Sequence, residues 1–152
     1  MVRETDYEPN ARILNSLLLL YCNALLPVQV ETDVLPLYDR YRIKHDVYTY
    51  QNLAKLYSSM REFSKVFDLY NKCKEEQIIV NKMLLVTTLD AAMREEQTNL
   101  IYKLLKDFVE IKQQPHARQL KILAGLKHLP DHLYMILRTE FNVEGTVGLK
   151  NR

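Results

Sequence analysis

The chain has 152 residues, 47% of them hydrophobic and 26% charged, and a formal net charge of +2. That length suits one compact domain or one short repeat array, and the near-neutral balance does not point to binding nucleic acid by bulk charge. Three glycines and five prolines are too few for the tight turns of an all-β fold or for a Gly-rich phosphate loop.

Apolar residues recur at three and four spacing along most of the chain, which is the signal of amphipathic helices. The first predicted helix runs from about Glu8 to Leu25, with Leu14, Leu17, Leu18, Tyr21 and Leu25 on one stripe and Pro27 as its stop. A second, about Glu31 to Lys44, puts Val34, Leu37, Tyr38 and Tyr41 on one face, with Pro36 in its first turns. Asp46 is a good N-cap for a third helix, which buries Tyr50, Leu53, Leu56 and Tyr57 and ends at Ser58 and Ser59. The fourth, about Glu62 to Glu76, carries Phe63, Val66, Phe67, Tyr70 and Cys73. Asn81 caps a fifth with Leu84, Leu85, Thr88, Leu89 and Ala92, and a sixth, about Gln97 to Lys112, carries Ile101, Leu104, Leu105 and Phe108. The seventh spans about Ala117 to His128, and Pro130-Asp131 opens the eighth. Nothing alternates with a period of two, so no sheet is expected.

The stretch Val47 to Asn81, VYTYQNLAKLYSSMREFSKVFDLYNKCKEEQIIVN, is one helical hairpin, and the pattern then starts again. A hairpin that repeats every ~35 residues marks an alpha-solenoid, because one hairpin cannot bury its own apolar face and must stack on neighbours. The expected fold is therefore all-α, an alpha-solenoid of about four antiparallel helical hairpins.

Residues 1–46 hold 5 basic and 7 acidic side chains, and residues 117–152 hold 6 basic and 3 acidic, so the C-terminal end is the better phosphate neighbour. Cys22 and Cys73 sit among apolar neighbours at helical spacing and are expected to be buried free thiols of a reducing compartment. The apolar run 13–30 is interrupted by Asn15, Ser16, Asn23, Pro27 and Gln29, so no membrane span is expected. Met1-Val2-Arg3 leads into Glu4, Asp6 and Glu8, unlike an acid-poor presequence.

Val47 to Asn81 resembles the pentatricopeptide repeat family without a gap: Tyr50 and Leu53 fill the first-helix positions, Phe63, Val66, Phe67, Leu69 and Tyr70 the second-helix ones, and Ile78 the apolar place in the exit loop. Lys82 to His116 is a second copy of the same length, with Pro115 where the family often has proline. Residues 117 to about 141 fit a truncated copy, and 11–46 a degenerate first copy with about four extra residues between its helices. The family's glycine between the two helices is replaced by Arg61 and Glu96. The resemblance implies an N-terminal extension at 1–10, a repeat domain at 11–141 and an irregular tail at 142–152. It also implies RNA as a partner, read at the fifth and last positions of each repeat, where the discriminating pairs combine Asn or Thr with Asp or Asn. Here those positions hold Gln51 with Asn81 and Val86 with His116, and Val86 cannot hydrogen-bond a base.

His128 and His132 have a spacing that can hold zinc on one helix, but Pro130 separates them and nothing completes the set. No nucleophile constellation or Gly-flanked serine appears, so no catalytic residue, metal, cofactor or small-molecule substrate is expected. The ten tyrosines could stack on bases, yet Tyr38, Tyr50, Tyr57 and Tyr70 fall on the inter-helix face and are expected to pack there. Lys55, Arg61, Lys65, Lys72 and Lys74 give the central hairpin a basic flank suited to phosphate contact. The resemblance implies a non-catalytic scaffold subunit of an organellar ribonucleoprotein. A mitochondrial ribosomal protein is the first expectation, gripping RNA backbone and protein subunits through Asn15, Gln51, Lys55, Asn81, Arg118 and Lys121. The alternative is a protein-only adaptor or accessory subunit of a large mitochondrial complex such as a respiratory enzyme.

Overall fold

The computed structural model of the chain describes residues 9–126 and 128–142. The described residues form helices and no strand. α1 is Ala11–Asn23. α2 occupies 27–40 and is built from Pro27–Gln29, a π-helical turn Val30–Val34 and Leu35–Arg40. α3 is Val47–Ser59, α4 Phe63–Glu75, α5 Lys82–Arg94 and α6 Thr98–Glu110. α7 is Ala117–Ala124 and α8 Asp131–Glu140. Most of the expected 1–10 extension, and the expected 142–152 tail beyond Asn142, lie outside the described residues.

The chain divides into two compact units, Met1–Ile79 and Val80–Arg152. In the first, α1 packs on α2 and on α3, and α3 packs on α4. In the second, α5 packs on α6, α6 on α8, and α7 on α8. The predicted apolar stripes are largely the faces that bury, except that Leu25 and Tyr41 are exposed because both fall in the closing turns after α1 and α2 instead of inside a helix. Leu14, Leu18 and Cys22 of α1, Tyr50, Leu53, Leu56 and Tyr57 of α3, and Phe63, Val66, Tyr70 and Cys73 of α4 line the first unit. Leu84, Leu85 and Leu89 of α5, Ile101, Leu104, Leu105 and Phe108 of α6, and Leu133 and Leu137 of α8 line the second. Each large side chain so buried contributes roughly 1.5–3 kcal/mol.

The period is written into the helix ends. The first helix of each copy opens behind Asn10, Asp46, Asn81 or His116. The Asn10 side chain accepts from Ile13 N at 2.9 Å, and that of Asn81 from Leu84 N at 2.9 Å. Asp46 accepts from Tyr48 N and Thr49 N, while the Thr49 hydroxyl accepts from Asp46 N. Such caps satisfy amides that the helix itself cannot.

The other ends close in one way six times over. Leu25, Arg42, Arg61, Gln77, Glu96 and Lys112 all adopt φ between 53° and 60°. After each, the next amide reaches back five residues: Leu26 to Tyr21 O, Ile43 to Tyr38 O, Glu62 to Tyr57 O, Ile78 to Cys73 O, Gln97 to Ala92 O and Gln113 to Phe108 O. This is the Schellman closure, whose left-handed residue is ordinarily glycine. Arg61 and Glu96 therefore hold the left-handed conformation that a glycine would take without steric cost.

The first copy differs from expectation in where its extra length sits. α1 and α2 start at 11 and 27, and α3 and α4 at 47 and 63, so the intervening turns match and hold no extra residues. From Leu25 to Arg42 is 17 residues, whereas Arg61 to Gln77 and Glu96 to Lys112 are each 16. The single added residue is absorbed by the π-helical turn Val30–Val34, where Leu35 N bonds to Val30 O. Pro27 starts α2 instead of merely ending α1, because proline is well placed in a first helical turn. Pro36 then lies in mid-helix, where proline removes an i→i−4 bond and crowds the preceding turn. The wider π turn just before it accommodates that crowding.

Candidate functional site

A groove of about 540 Å³ lies between α1 and α3 in the first unit and holds two of the expected residues, Asn15 and Gln51. Asn15, Arg12 and Ser16 line it from α1, and Tyr48, Gln51 and Asn52 from α3, with Asp46 at its end. Asn15 and Gln51 are each the fifth residue of their helix, so the repeat places both at equivalent positions along α1 and α3.

Asn15 is the hub. Its Nδ2 donates to Asp46 Oδ1 at 3.0 Å and Oδ2 at 3.2 Å. Its Oδ1 accepts from the Tyr38 hydroxyl at 2.6 Å and from the Thr49 hydroxyl at 2.9 Å. Asn52 Nδ2 lies 3.4 Å from Asn15 O. Tyr38 is fully buried beneath this network, and burial pushes its hydroxyl up to about 12, so it remains a neutral donor. Lys55 lies one turn beyond Gln51 and is near enough to Cys22 to oppose, in part, the burial that raises that thiol to about 11. The structure thus brings Asn15 and Gln51 together along one groove, while Lys55, on the same helix as Gln51, is not among the residues that line it.

The remaining expected residues lie in the second unit. Asn81 spends its side-chain oxygen on the cap of α5. Arg118 and Lys121 are exposed on α7, three residues apart and so on neighbouring faces of the helix. Arg118 Nη2 sits 3.5 Å from Asp90 Oδ2, a solvent-exposed pair worth little. Gln119 beside it is wholly buried and donates through Nε2 to Val86 O and to Asp90 Oδ1, both at 2.9 Å.

Sequence reasoning missed Asp46 as the partner of Asn15, although the register shows it: with α1 starting at 11 and α3 at 47, these are the fifth and last residues of the first copy. It also missed Gln119, whose signal is the same register, since Thr49 holds the equivalent place in α3. Tyr48, more than half exposed at the groove, carried no signal of its own.

The four tyrosines expected to pack do so. The Tyr57 hydroxyl donates to Glu31 Oε1 at 3.0 Å and the Tyr50 hydroxyl to Glu76 Oε1. Burial, then the carboxylate acceptor, holds both phenols above their usual range. Cys22 and Cys73 are buried free thiols, and burial pushes Cys73 up to about 11 as well. His132 stands edge-on to the Tyr102 ring with centroids 4.8 Å apart. Among the described residues no three His, Cys, Asp or Glu side chains are placed to share a metal, and no helix is long and apolar enough to cross a membrane.

No family model matches the chain, and no curated protein sequence matches it. Among solved structures, the crystal structure of the pentatricopeptide repeat protein PPR10 from maize is similar to it, with a TM-score of 0.65 over 93% of this chain at 13% identity. The likeness shows the fold. It is an alpha-solenoid of helical hairpins of the kind that the pentatricopeptide repeat protein has. The match spans only 20% of the maize protein's length.

Proposed function

We propose that the chain is a non-catalytic helical-repeat subunit of an organellar ribonucleoprotein, the mitochondrial ribosome first among them, docking on RNA backbone and on protein. The α1–α3 groove carries the reading, because it is lined by the amides of Asn15 and Gln51 together with Arg12 and the exposed Tyr48 ring, and Lys55 follows Gln51 by one turn of α3. The chemistry favours backbone contact over base reading. The Asn15 side chain is already engaged by Asp46, Tyr38 and Thr49, so a base edge would have to displace a charged partner. Cations at the groove need no such exchange to meet phosphate. The fold shared with a pentatricopeptide repeat protein supports RNA as the polyanion.

The test is a salt titration of the purified chain with single-stranded RNA of mixed sequence. Backbone contact makes affinity fall linearly with log salt, losing about 0.7 of a log unit per log unit of salt for each phosphate neutralised. Arg12→Glu with Lys55→Glu should flatten that slope and weaken all sequences alike. No affinity at low salt would refute the RNA reading. Co-sedimentation with mitochondrial ribosomal subunits tests the host assembly. A protein-only adaptor, as in a respiratory enzyme, is the second reading, and the aliphatic outer face of α1 favours it.

A further inference from the structure

The first unit gathers positive charge at a place where the repeat does not require it. A cleft of about 690 Å³ lies where the ends of α2 and α4 meet the loop before α3, and it shares no lining residue with the α1–α3 groove. Arg42, Lys44 and Lys72 line it, and all three are exposed. Among the described residues, none of these three side chains makes a hydrogen bond or an ion pair. Lys65 in the same unit, by contrast, is met by Glu31 and Glu62. Asp39 and Glu76 share the lining, but Glu76 accepts the Tyr50 hydroxyl instead of a lysine. At the next closing turn, where Gln77 stands for Arg42, the residues in place of Lys44, His45 and Lys72 are Ile79, Val80 and Asp107. The charges therefore belong to this cleft and not to hairpin closure.

His45 is the recessed member of the set. It is half-buried, with its ring edge-on to Tyr38 and Tyr50 at centroid distances of 4.7 and 5.9 Å. Burial, then Lys72, hold its pKa below the usual value against the pull of Asp39, Glu76 and Asp46, so it is neutral at pH 7. Helix C-termini ordinarily repel anions through their free carbonyls. Here Tyr38 O and Asp39 O already accept from Ile43 N and Arg42 N.

We propose that this cleft binds the phosphate of a phosphomonoester, carried by a free nucleotide or by the 5′ end of an RNA strand, with Arg42, Lys44 and Lys72 as counter-charges and His45 facing the anion. The charge balance selects the ligand. With His45 protonated, four positive groups stand against two carboxylates, and the surplus matches a dianion better than a phosphodiester or a carboxylate. The cleft is of the size that takes a small molecule. This site is independent of the RNA contact assigned to the α1–α3 groove.

The full chain is titrated at low salt by calorimetry with uridine 5′-monophosphate and with uridine. The monophosphate should bind and uridine should not; equal binding of the two, or none by the monophosphate, would overturn the proposal. Arg42→Gln with Lys44→Gln should weaken the monophosphate at least about tenfold. Both positions are exposed, so the melting temperature should stay within about 2 °C of the parent's. Undiminished affinity would overturn the assignment. The same variant should keep the parent's salt slope with 5′-hydroxyl RNA, which separates failure of this site from failure of the groove. A 5′-phosphorylated oligoribonucleotide that outbinds its 5′-hydroxyl form assigns the site to RNA ends, and equal binding of the two assigns it to free nucleotides. Sulfate, whose charge is constant from pH 7.5 to 5.5, reads the role of His45. A bound dianion favours the imidazolium, so sulfate affinity should rise as pH falls, while Asp39, Asp46 and Glu76 stay ionised. His45→Phe should flatten that rise, and a flat profile in the parent would refute the placement of His45 against the anion.

Discussion

Glycine substitution usually weakens a helical protein, yet at the helix ends of this chain it should do the opposite. Glu96 and Lys112 hold φ of 53° and 58° in the second unit, and each closes a helix through bonds made by its own and the following amide. An L-residue held left-handed costs roughly 1–2 kcal/mol. Glycine escapes that cost but gives up roughly 0.5–1 kcal/mol of unfolded-state entropy. The net gain is therefore about 0.5–1 kcal/mol per site, and Glu96→Gly with Lys112→Gly should gain about 1–2 kcal/mol, since the two sites lie at opposite ends of α6. In urea, with a slope of about 2 kcal/mol per molar, the midpoint should rise by about 0.5–1 M. The control is Glu96→Ala with Lys112→Ala, which removes the same side chains but keeps the Cβ that creates the strain. If the alanine pair gains as much as the glycine pair, or the glycine pair loses stability, the strain argument is refuted.

Three further outcomes are expected. Asn15→Ala should cost about 2 kcal/mol and Tyr38→Phe about 1 kcal/mol by urea unfolding, and the double variant should cost less than the sum because one hydrogen bond is counted twice; strict additivity would contradict the network. Leu53→Asp places a charge where the side chain is buried, and should cost at least about 3 kcal/mol by thermal or urea melting; a variant that melts like the parent would show the register to be wrong. His45 lies edge-on between Tyr38 and Tyr50, and burial, then Lys72, hold its pKa below the usual value. The unfolded chain therefore binds more protons than the folded one below about pH 6.5, so the urea midpoint should fall as pH drops from about 7.5 to 5.5, and His45→Phe should flatten that slope.

Helix existence and the buried faces were legible because every buried stripe repeats at three and four spacing. The caps at Asp46 and Asn81 were legible because their side chains reach the second or third amide of a helix in only one geometry. The start of α2 was not. Pro27 reads as a stop from the side of α1 and as a first-turn residue from the side of α2, and only packing of Val30 and Val34 against α1 decides between them. Of the candidate groove, Asn15 and Gln51 were legible as polar residues at the fifth place of their copies, whereas Lys55, expected from the basic flank of the central hairpin, does not line it. The bond from Asn15 to Asp46 was hidden by assigning Asp46 a single task, when its carboxylate both caps α3 and binds across to α1.

The bulge in α2 lets one copy be longer than its neighbours without passing the error on. One residue added to a regular helix turns everything after it by about 100°. Here the surplus is expelled sideways within Val30–Val34, and Tyr38, Cys73 and Phe108 still stand 35 residues apart, each accepting the closing bond of its helix. Natural variants that lose one residue from 30–34 should therefore be tolerated, provided that the proline at 36 is lost with it.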